Sequence, residues 1–161
     1  MIASASFQNG PALYAALPTW SGWGASVLLV FSVAAAYPEA VETNAYLAFI
    51  DAALETPEGR FLMRPNPVEL VARQARIAAV YREDIQPEKM VAARYIVPGS
   101  DGHYLGGAFV RKEMRGRSLS AVVAAIGLYD AIARKEVVTK LNGKVIVEDG
   151  VRIDAYVDAL G

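Results

Sequence analysis

The stretch Phe109-Val110-Arg111-Lys112-Glu113-Met114-Arg115-Gly116-Arg117-Ser118-Leu119-Ser120 connects a strand-like segment to the most regular helical pattern of the chain. His103–Arg111 has the composition of a strand, and Ser118–Glu136 carries apolar residues at helical spacing. The first turn of a helix presents N–H groups without intrahelical partners, at the positive end of the helix dipole. The stretch therefore predicts a strand–turn–helix unit that binds an anion such as pyrophosphate, or else a solvated basic turn without a ligand. Its basic side chains are Arg111, Lys112, Arg115 and Arg117.

A β-hairpin is predicted immediately before this unit. Met90–Val97 and His103–Arg111 flank the five residues Pro98-Gly99-Ser100-Asp101-Gly102, which are typical of a hairpin loop.

A second hairpin is predicted after the long helix. Asn142-Gly143 favours a two-residue turn, so we expect strands over Val137–Leu141 and Lys144–Glu148. The tail Val151–Gly161 fits either a strand or a helix, since it shows both periodicities.

The first 55 residues contain one clear helical pattern. Residues 1–24 fit a loop with one helical turn near Ala12–Leu17. Val27–Ala35 is either a buried strand or a short helix, because a short apolar run is compatible with both. From Glu39 to Glu55 the apolar spacing predicts a helix.

A further helix is predicted to begin at Asn66. Asn66 has the character of an N-cap, Pro67 follows at the first helical position, and Glu69 can reach back to the cap. We expect this helix to run to about Tyr81. The elements together predict the α+β class: a helix-rich N-terminal half, a β-hairpin, a long central helix, then short strands and a terminal helix or strand.

Charge and composition bound the possible functions. The chain has no Cys and one His among its 161 residues, which excludes disulfides, thiolate nucleophiles and multi-histidine metal sites. Residues 1–59 carry five acids and no bases, whereas residues 60–161 carry 16 bases and 12 acids. We therefore expect an acidic, apolar segment 1–59 packing on an α+β body 60–161, with the boundary near Thr56–Gly59. The basic excess is too small for a nucleic-acid partner, and we expect a cytoplasmic protein.

One uncharged segment has the length of a membrane span. Pro18–Tyr37 covers 20 residues without charge, but only Val27–Ala36 within it is strongly apolar. Basic flanking residues are missing on both sides. We therefore expect a buried strand or core helix here and no membrane span.

The turn resembles a motif of the GNAT superfamily of acyl-CoA-dependent N-acyltransferases. In that family a strand runs into V-x-P-x-x-R-G-x-G-x-G/A, which opens the central helix. Departures from the motif are Lys112 at the proline position, and Ser118 and Ser120 at glycine positions. The resemblance covers about residues 90–161. The residues in register are Val110, Glu113, Arg115, Gly116, Arg117 and Leu119.

The resemblance implies transfer of an acyl group from acyl-CoA to a primary amine of a small molecule or peptide, without a metal. Tyr156 lies where the family has a tyrosine that protonates the departing thiolate. Candidates for the general base are Glu83, with Asp84 and His103 as alternatives. Phe109 and Val110 are implied to align the pantetheine. The residues implied to bind pyrophosphate are Arg115, Gly116, Arg117, Ser118, Leu119 and Ser120.

Two other functions fit the same residues. The uncharged N-terminus and Ala-rich helices suit a subunit of a homo-oligomeric assembly or a virion, in which residues 1–38 are buried against copies of the chain. A GNAT-like scaffold that has lost catalysis and kept binding is the other alternative. For the acyltransferase and for both alternatives we expect a homo-oligomer, and no partner that is nucleic acid or membrane.

Overall fold

The computed structural model describes residues 2–4, 12–16, 29–115, 119–146 and 152–158, with side chains described for 29–115 and 119–143. Within them the chain forms an eight-stranded mixed sheet and three α-helices, which is the predicted α+β class. The strands are β1 (Ile2–Ser4), β2 (Ala12–Ala16), β3 (Leu29–Ala35), β4 (Arg76–Arg82), β5 (Met90–Val97), β6 (His103–Val110), β7 (Lys140–Ile146) and β8 (Arg152–Asp158). The helices are α1 (Val41–Leu54), α2 (Pro67–Ala72) and α3 (Leu119–Ala133).

The strands lie in the sheet in the order in which they occur in the chain. Every neighbouring pair is antiparallel except β6 and β7, which are parallel and are connected through α3. A parallel pair requires such a crossover connection, because the chain must return to the same end of the sheet. The predicted strand–turn–helix unit therefore lies at the only parallel junction among the described strands.

Helices cover both faces of the central strands. On one face α3 packs over a cluster that includes Phe31, Val80 and Ile126. On the other face α1 and α2 pack over a second cluster that includes Tyr46 and Ile77. Because β4 is buried on both faces, its residues alternate between the two clusters and are apolar on both sides.

The second predicted helix is shorter than expected. Asn66 caps α2 as predicted, accepting hydrogen bonds from Val68 N (2.9 Å) and Glu69 N (3.4 Å). The extension to Tyr81 is wrong, since α2 ends at Ala72 and β4 follows. Gln74 adopts a left-handed conformation (φ 56°), and the next N–H donates to Leu70 O, which closes the helix in a Schellman motif. Glycine usually occupies that position, so glutamine gives no stop signal.

The predicted second hairpin is also wrong. Asn142-Gly143 lies inside β7, which runs without interruption from Lys140 to Ile146. The Asn142 amide donates to Asp101 O at 3.4 Å. A Cβ on Gly143 would lie 3.2 Å from Leu105 O, so the glycine permits close approach to β6. The two residues serve contacts between strands instead of a turn.

The N-terminal half contains more strand than expected. Ile2–Ser4 and Ala12–Ala16 are strands where a loop with a helical turn was predicted. Leu29–Ala35 is a strand, which resolves the alternative left open for Val27–Ala35. The proposed boundary near Thr56–Gly59 follows α1, and β3 before it pairs with β4 after it along seven residues. The long helix and the first hairpin are present as predicted, and the tail is a strand over Arg152–Asp158.

No helix in the described part of the chain is long and apolar enough to cross a membrane.

Candidate active site

A β-bulge interrupts β6 near its middle. Phe109 pairs with Ala93 and Gly106 pairs with Tyr95, so two residues of β6 lie opposite the single residue Arg94 of β5. Gly107 takes a φ of 58°, which is the left-handed conformation of the first residue in a G1 bulge. A bulge leaves its extra residue out of the ladder and redirects the backbone, and bulges occur frequently beside active sites.

Tyr46 of α1 holds the bulge in place. Its side chain is fully buried, and its hydroxyl donates a hydrogen bond of 2.7 Å to Gly107 O. A Cβ on Gly107 would lie 2.0 Å from that hydroxyl, so only glycine fits both the φ angle and the space. Burial raises the pKa of Tyr46 far above its usual value, with a further contribution from Tyr95, so the hydroxyl remains a donor.

After Tyr104, just before the bulge, β6 and β7 separate. Their ladder consists of the pairs His103–Leu141 and Tyr104–Asn142. From Leu105 to Val110 the structure has no strand paired with this edge of β6 among the described residues. The parallel junction therefore opens into a gap, and one wall of this gap is an edge of β6 that no described strand covers.

A cavity of about 390 Å³ lies at the C-terminal end of this edge. It is bounded by β6, by the turn after it and by the first residues of α3. Arg115 lies in its wall, donating to Val110 O at 3.1 Å with its guanidinium 5.2 Å from the centre of the Phe109 ring. The residues lining this donor cavity are Glu58, Phe61, Leu62, Ala108, Phe109, Val110, Met114, Arg115, Leu119 and Ser120.

A second cavity of about 380 Å³ lies on the α2 side of the bulge. Its walls are α2, the segment before α2, and residues 94–95 and 104–108 of the hairpin. Tyr95 and Tyr104 stack there with ring centres 6.1 Å apart. This acceptor cavity shares Phe61, Leu62 and Ala108 with the donor cavity, so the two meet beside the bulge. A substrate in one cavity can therefore contact a substrate in the other.

The structure brings five of the predicted binding residues together. Phe109, Val110, Arg115, Leu119 and Ser120 line the donor cavity. Gly116, Arg117 and Ser118 were predicted as part of the same site and lie outside the described residues.

Two of the four bases in the turn, Arg111 and Lys112, contact other groups outside the donor cavity. Arg111 Nε donates to Met90 O at 2.7 Å, which ties it to the start of β5. Lys112 Nζ lies 3.6 Å from Glu58 Oε1. The pKa of Glu58 is lowered, first because its own backbone N–H donates to the carboxylate and then because Lys112 is near. Arg115 is therefore the described base of the turn that faces the donor cavity.

The candidate general bases Glu83, Asp84 and His103 lie away from both cavities. Glu83 is exposed in the turn after β4 and lies 3.7 Å from Lys89 Nζ. Asp84 accepts hydrogen bonds from Ile85 N and the Gln86 amide within the same turn. His103 is only 2% exposed and lies 3.1 Å from Glu136 at the opposite end of β6. None of the three lines either cavity.

Tyr156 lies in β8, opposite Asn142 of β7, and Asn142 is itself opposite Tyr104. The Tyr156 backbone therefore lies at the level of Tyr104, six positions before the end of β6 at Val110. Six positions along a strand correspond to about 20 Å between this level and the turn. The structure therefore places the Tyr156 backbone in a strand and away from the turn.

Sequence reasoning missed the residues around the bulge. The pair Gly106-Gly107 inside a strand pattern is a usable signal, because glycine within a strand often marks a bulge. Arg94 is a single charge in the apolar strand Met90–Val97 and is a second signal. Tyr46 and Tyr95 have no local signal, since α1 and the hairpin come together only in the folded chain.

The fold is similar to that of several solved structures at low sequence identity. Escherichia coli ElaA is 13% identical, and the match covers 80% of this chain and 98% of that one with a TM-score of 0.61. A candidate N-acetyltransferase from Lactobacillus plantarum is 18% identical over 74% of this chain and 75% of that one, with a TM-score of 0.50. An acetyltransferase of the GNAT family from Staphylococcus aureus is 9% identical over 72% and 73%, with a TM-score of 0.48.

No family model and no curated protein matches the sequence. The resemblance to the GNAT superfamily is confirmed at the level of the fold. It also extends beyond residues 90–161, because the match with ElaA covers 80% of the chain.

Proposed function

Since the chain has the GNAT fold, we propose that it is an acyl-CoA-dependent N-acyltransferase that acts on a primary amine. The observation that carries this proposal is the bulge at Gly107, which follows the point where β7 leaves β6 and lies beside the junction of the two cavities. In the reaction the amine nitrogen forms a bond to the acyl carbon, and the carbon–sulfur bond breaks. The nitrogen loses a proton and the sulfur gains one.

The donor cavity fits an acyl-CoA in charge and in shape. Arg115 supplies a cation beside the first turn of α3, whose N–H groups and dipole favour a pyrophosphate. The unpaired edge of β6 after Tyr104 offers backbone groups to the amides of a pantetheine. N–H groups freed by the bulge would polarise the thioester carbonyl, which is the role of an oxyanion hole.

Tyr95 lies beside the bulge and lines the acceptor cavity, and it is our candidate for the proton donor. A Cβ on Gly106 would lie 2.5 Å from its hydroxyl, so this hydroxyl rests on the backbone next to the bulge. Burial, together with the neighbouring Tyr104, raises the pKa of Tyr95 to about 12, so the group is protonated at neutral pH. Glu69 is the only carboxylate among the described residues of the acceptor cavity and is the candidate base, acting directly or through water.

The binding step is tested by thermal denaturation with CoA. A ligand that binds only the native state raises the melting temperature, so CoA should raise it for the native protein. Arg115→Glu should abolish the shift, because it reverses the charge in the cavity wall. Lys112→Glu makes the same charge change outside the donor cavity and should keep most of the shift. No shift for the native chain, or equal losses in both variants, contradicts the proposal.

The proton donor is tested by thiol release from acyl-CoA with an amine acceptor. Tyr95→Phe keeps the ring and removes the hydroxyl, and we expect kcat to fall about 10- to 1000-fold. Tyr156→Phe is the matched comparison, and its register predicts a change below about twofold. The reverse result would assign the proton to Tyr156, as the family motif implies.

A further inference from the structure

We infer that the acceptor of this site is an amine that also carries a carboxylate, and that Arg94 binds this carboxylate in the acceptor cavity. The inference rests on the proposed function, because it names the class of acceptor for the same site. It follows from the balance of charges around the acceptor cavity.

Three arginines line the acceptor cavity, and two of them have an acidic partner. Arg64 Nε lies 2.6 Å from Asp51 Oδ1, and a second hydrogen bond joins the same two side chains. Arg73 Nη1 lies 3.9 Å from Glu69 Oε1. Arg94 has no such partner among the described residues. The cavity therefore has one positive charge without a counterion among the described residues.

The charge of Arg94 is also partly removed from solvent, where pairing with an anion is favourable. It is partly buried, and its Nε is buried without a hydrogen bond in the described part of the chain. Burial lowers its pKa, the direction expected when a cation loses water without gaining an anion. An uncompensated charge in a protein wall is costly, so an incoming anion gains more from this arginine than from an exposed one.

The position of Arg94 connects this charge to the reaction. Arg94 is the residue of β5 opposite the bulge, between the pairs Ala93–Phe109 and Tyr95–Gly106. A carboxylate on Arg94 places the rest of the acceptor close to Ala108, where the donor cavity begins. Guanidinium and carboxylate match each other in a planar, two-bond geometry, which would orient the amine as well as bind it.

The remaining wall suits an acceptor with some apolar surface. The stacked rings of Tyr95 and Tyr104 face the cavity opposite the residues before α2. A volume of about 380 Å³ accommodates a free amino acid or the C-terminal residue of a short peptide. Amines without an anionic group would leave Arg94 without a counterion.

The test compares carboxylates with their amides. Isothermal calorimetry measures binding of free L-amino acids and of the corresponding L-amino-acid amides, once with the protein alone and once with excess CoA. We expect at least one amino acid to bind, and its amide to bind about 10- to 100-fold more weakly, which is the usual effect of losing a charge-assisted pair. Arg94→Met keeps an unbranched apolar chain like the stem of the arginine, removes the charged guanidinium and should remove this preference.

Arg64→Met is the matched control. Arg64 lines the same cavity but is already paired with Asp51, so this variant should keep the preference for the carboxylate. Amides that bind the native protein as tightly as the amino acids would overturn the inference, as would a preference that survives in Arg94→Met. Absence of binding by every amino acid would also overturn it.

The inference and the proposed function can fail separately. Thiol release with neutral amines and no selective binding of carboxylates would reject the role of Arg94 and leave the acyltransferase proposal standing. Binding of carboxylates through Arg94 without any thermal shift by CoA would reject the acyltransferase proposal and leave the anion site standing.

Discussion

The hydrogen bond from Tyr46 to the bulge can be removed with little other change. Tyr46→Phe deletes the hydroxyl that donates to Gly107 O at 2.7 Å and keeps the ring that packs edge-on against Tyr95. A buried carbonyl that loses a hydrogen-bond donor costs about 1–2 kcal/mol of folding free energy. For a chain of this size the melting temperature should fall by about 2–8 °C.

Tyr81→Phe is the matched control. Tyr81 is 1% exposed, and its hydroxyl is buried near Ser32, although neither hydroxyl makes a hydrogen bond in the described part of the chain. Removing that hydroxyl should change the free energy of unfolding by less than about 0.5 kcal/mol, or stabilise the protein slightly. Urea denaturation of the three proteins measures both values. Equal destabilisation by the two variants, or none by Tyr46→Phe, would refute the assignment of this hydrogen bond as a determinant of the bulge.

The two variants Tyr46→Phe and Tyr81→Phe also separate an effect on stability from an effect on catalysis. If the bulge positions the reacting carbonyl, Tyr46→Phe should lower kcat for thiol release about 10-fold, because small displacements of a catalytic backbone are costly. Tyr81→Phe should retain the native rate. A Tyr46→Phe variant that is destabilised but fully active would show that the bulge has a structural role only.

Two further predictions concern other parts of the chain. The pKa of Glu136 is lowered, first by hydrogen bonds from Arg76 and then by His103, so its contribution is present above the unfolded value of 4.5 and is lost as the pH falls below it. Urea denaturation between about pH 6 and pH 3 should show this loss in the native protein and a smaller one in Glu136→Gln. Deleting residues 1–28 removes β1 and β2, exposes the edge of β3 and should cause aggregation or a new oligomeric state in light scattering. A truncated monomer as stable as the full chain would contradict the need for that edge to be covered and would weigh against the assembly alternative.

Features coded by neighbouring residues could be predicted from the sequence. The cap at Asn66, the hairpin over Met90–Val97 and His103–Val110, and the helix after the turn each depend on local spacing, and each is present. The turn between β6 and α3 could be predicted for the same reason, because its residues are contiguous in the chain. Local spacing is therefore sufficient to place Arg115 and Ser120 in one site.

Errors occurred where tertiary contacts override the local signal. Arg76–Arg82 reads as a continuation of α2 because both faces of β4 are buried, and an apolar run without alternation does not distinguish strand from helix. Asn142-Gly143 has the composition of a turn, yet β6 lies so close that a Cβ at position 143 would make a tight contact with Leu105 O, which favours glycine there. In both cases the residues whose contacts determine the local structure lie far away in the sequence.

The two halves of the candidate site differ in the same way. The donor cavity is built largely from a contiguous strand, turn and helix, so its motif survives in the sequence even with serine at two glycine positions. The acceptor cavity is assembled from the segment before α2, from α2 and from two strands, and its central charge is one arginine within an apolar strand. A family motif can therefore indicate the acyl donor, whereas the choice of acceptor depends on which side chains the fold leaves without partners. Arg94 is such a side chain in the part of the chain that the structure describes, and its lack of a counterion there becomes visible only when Asp51 and Glu69 are seen to be paired with the other two arginines.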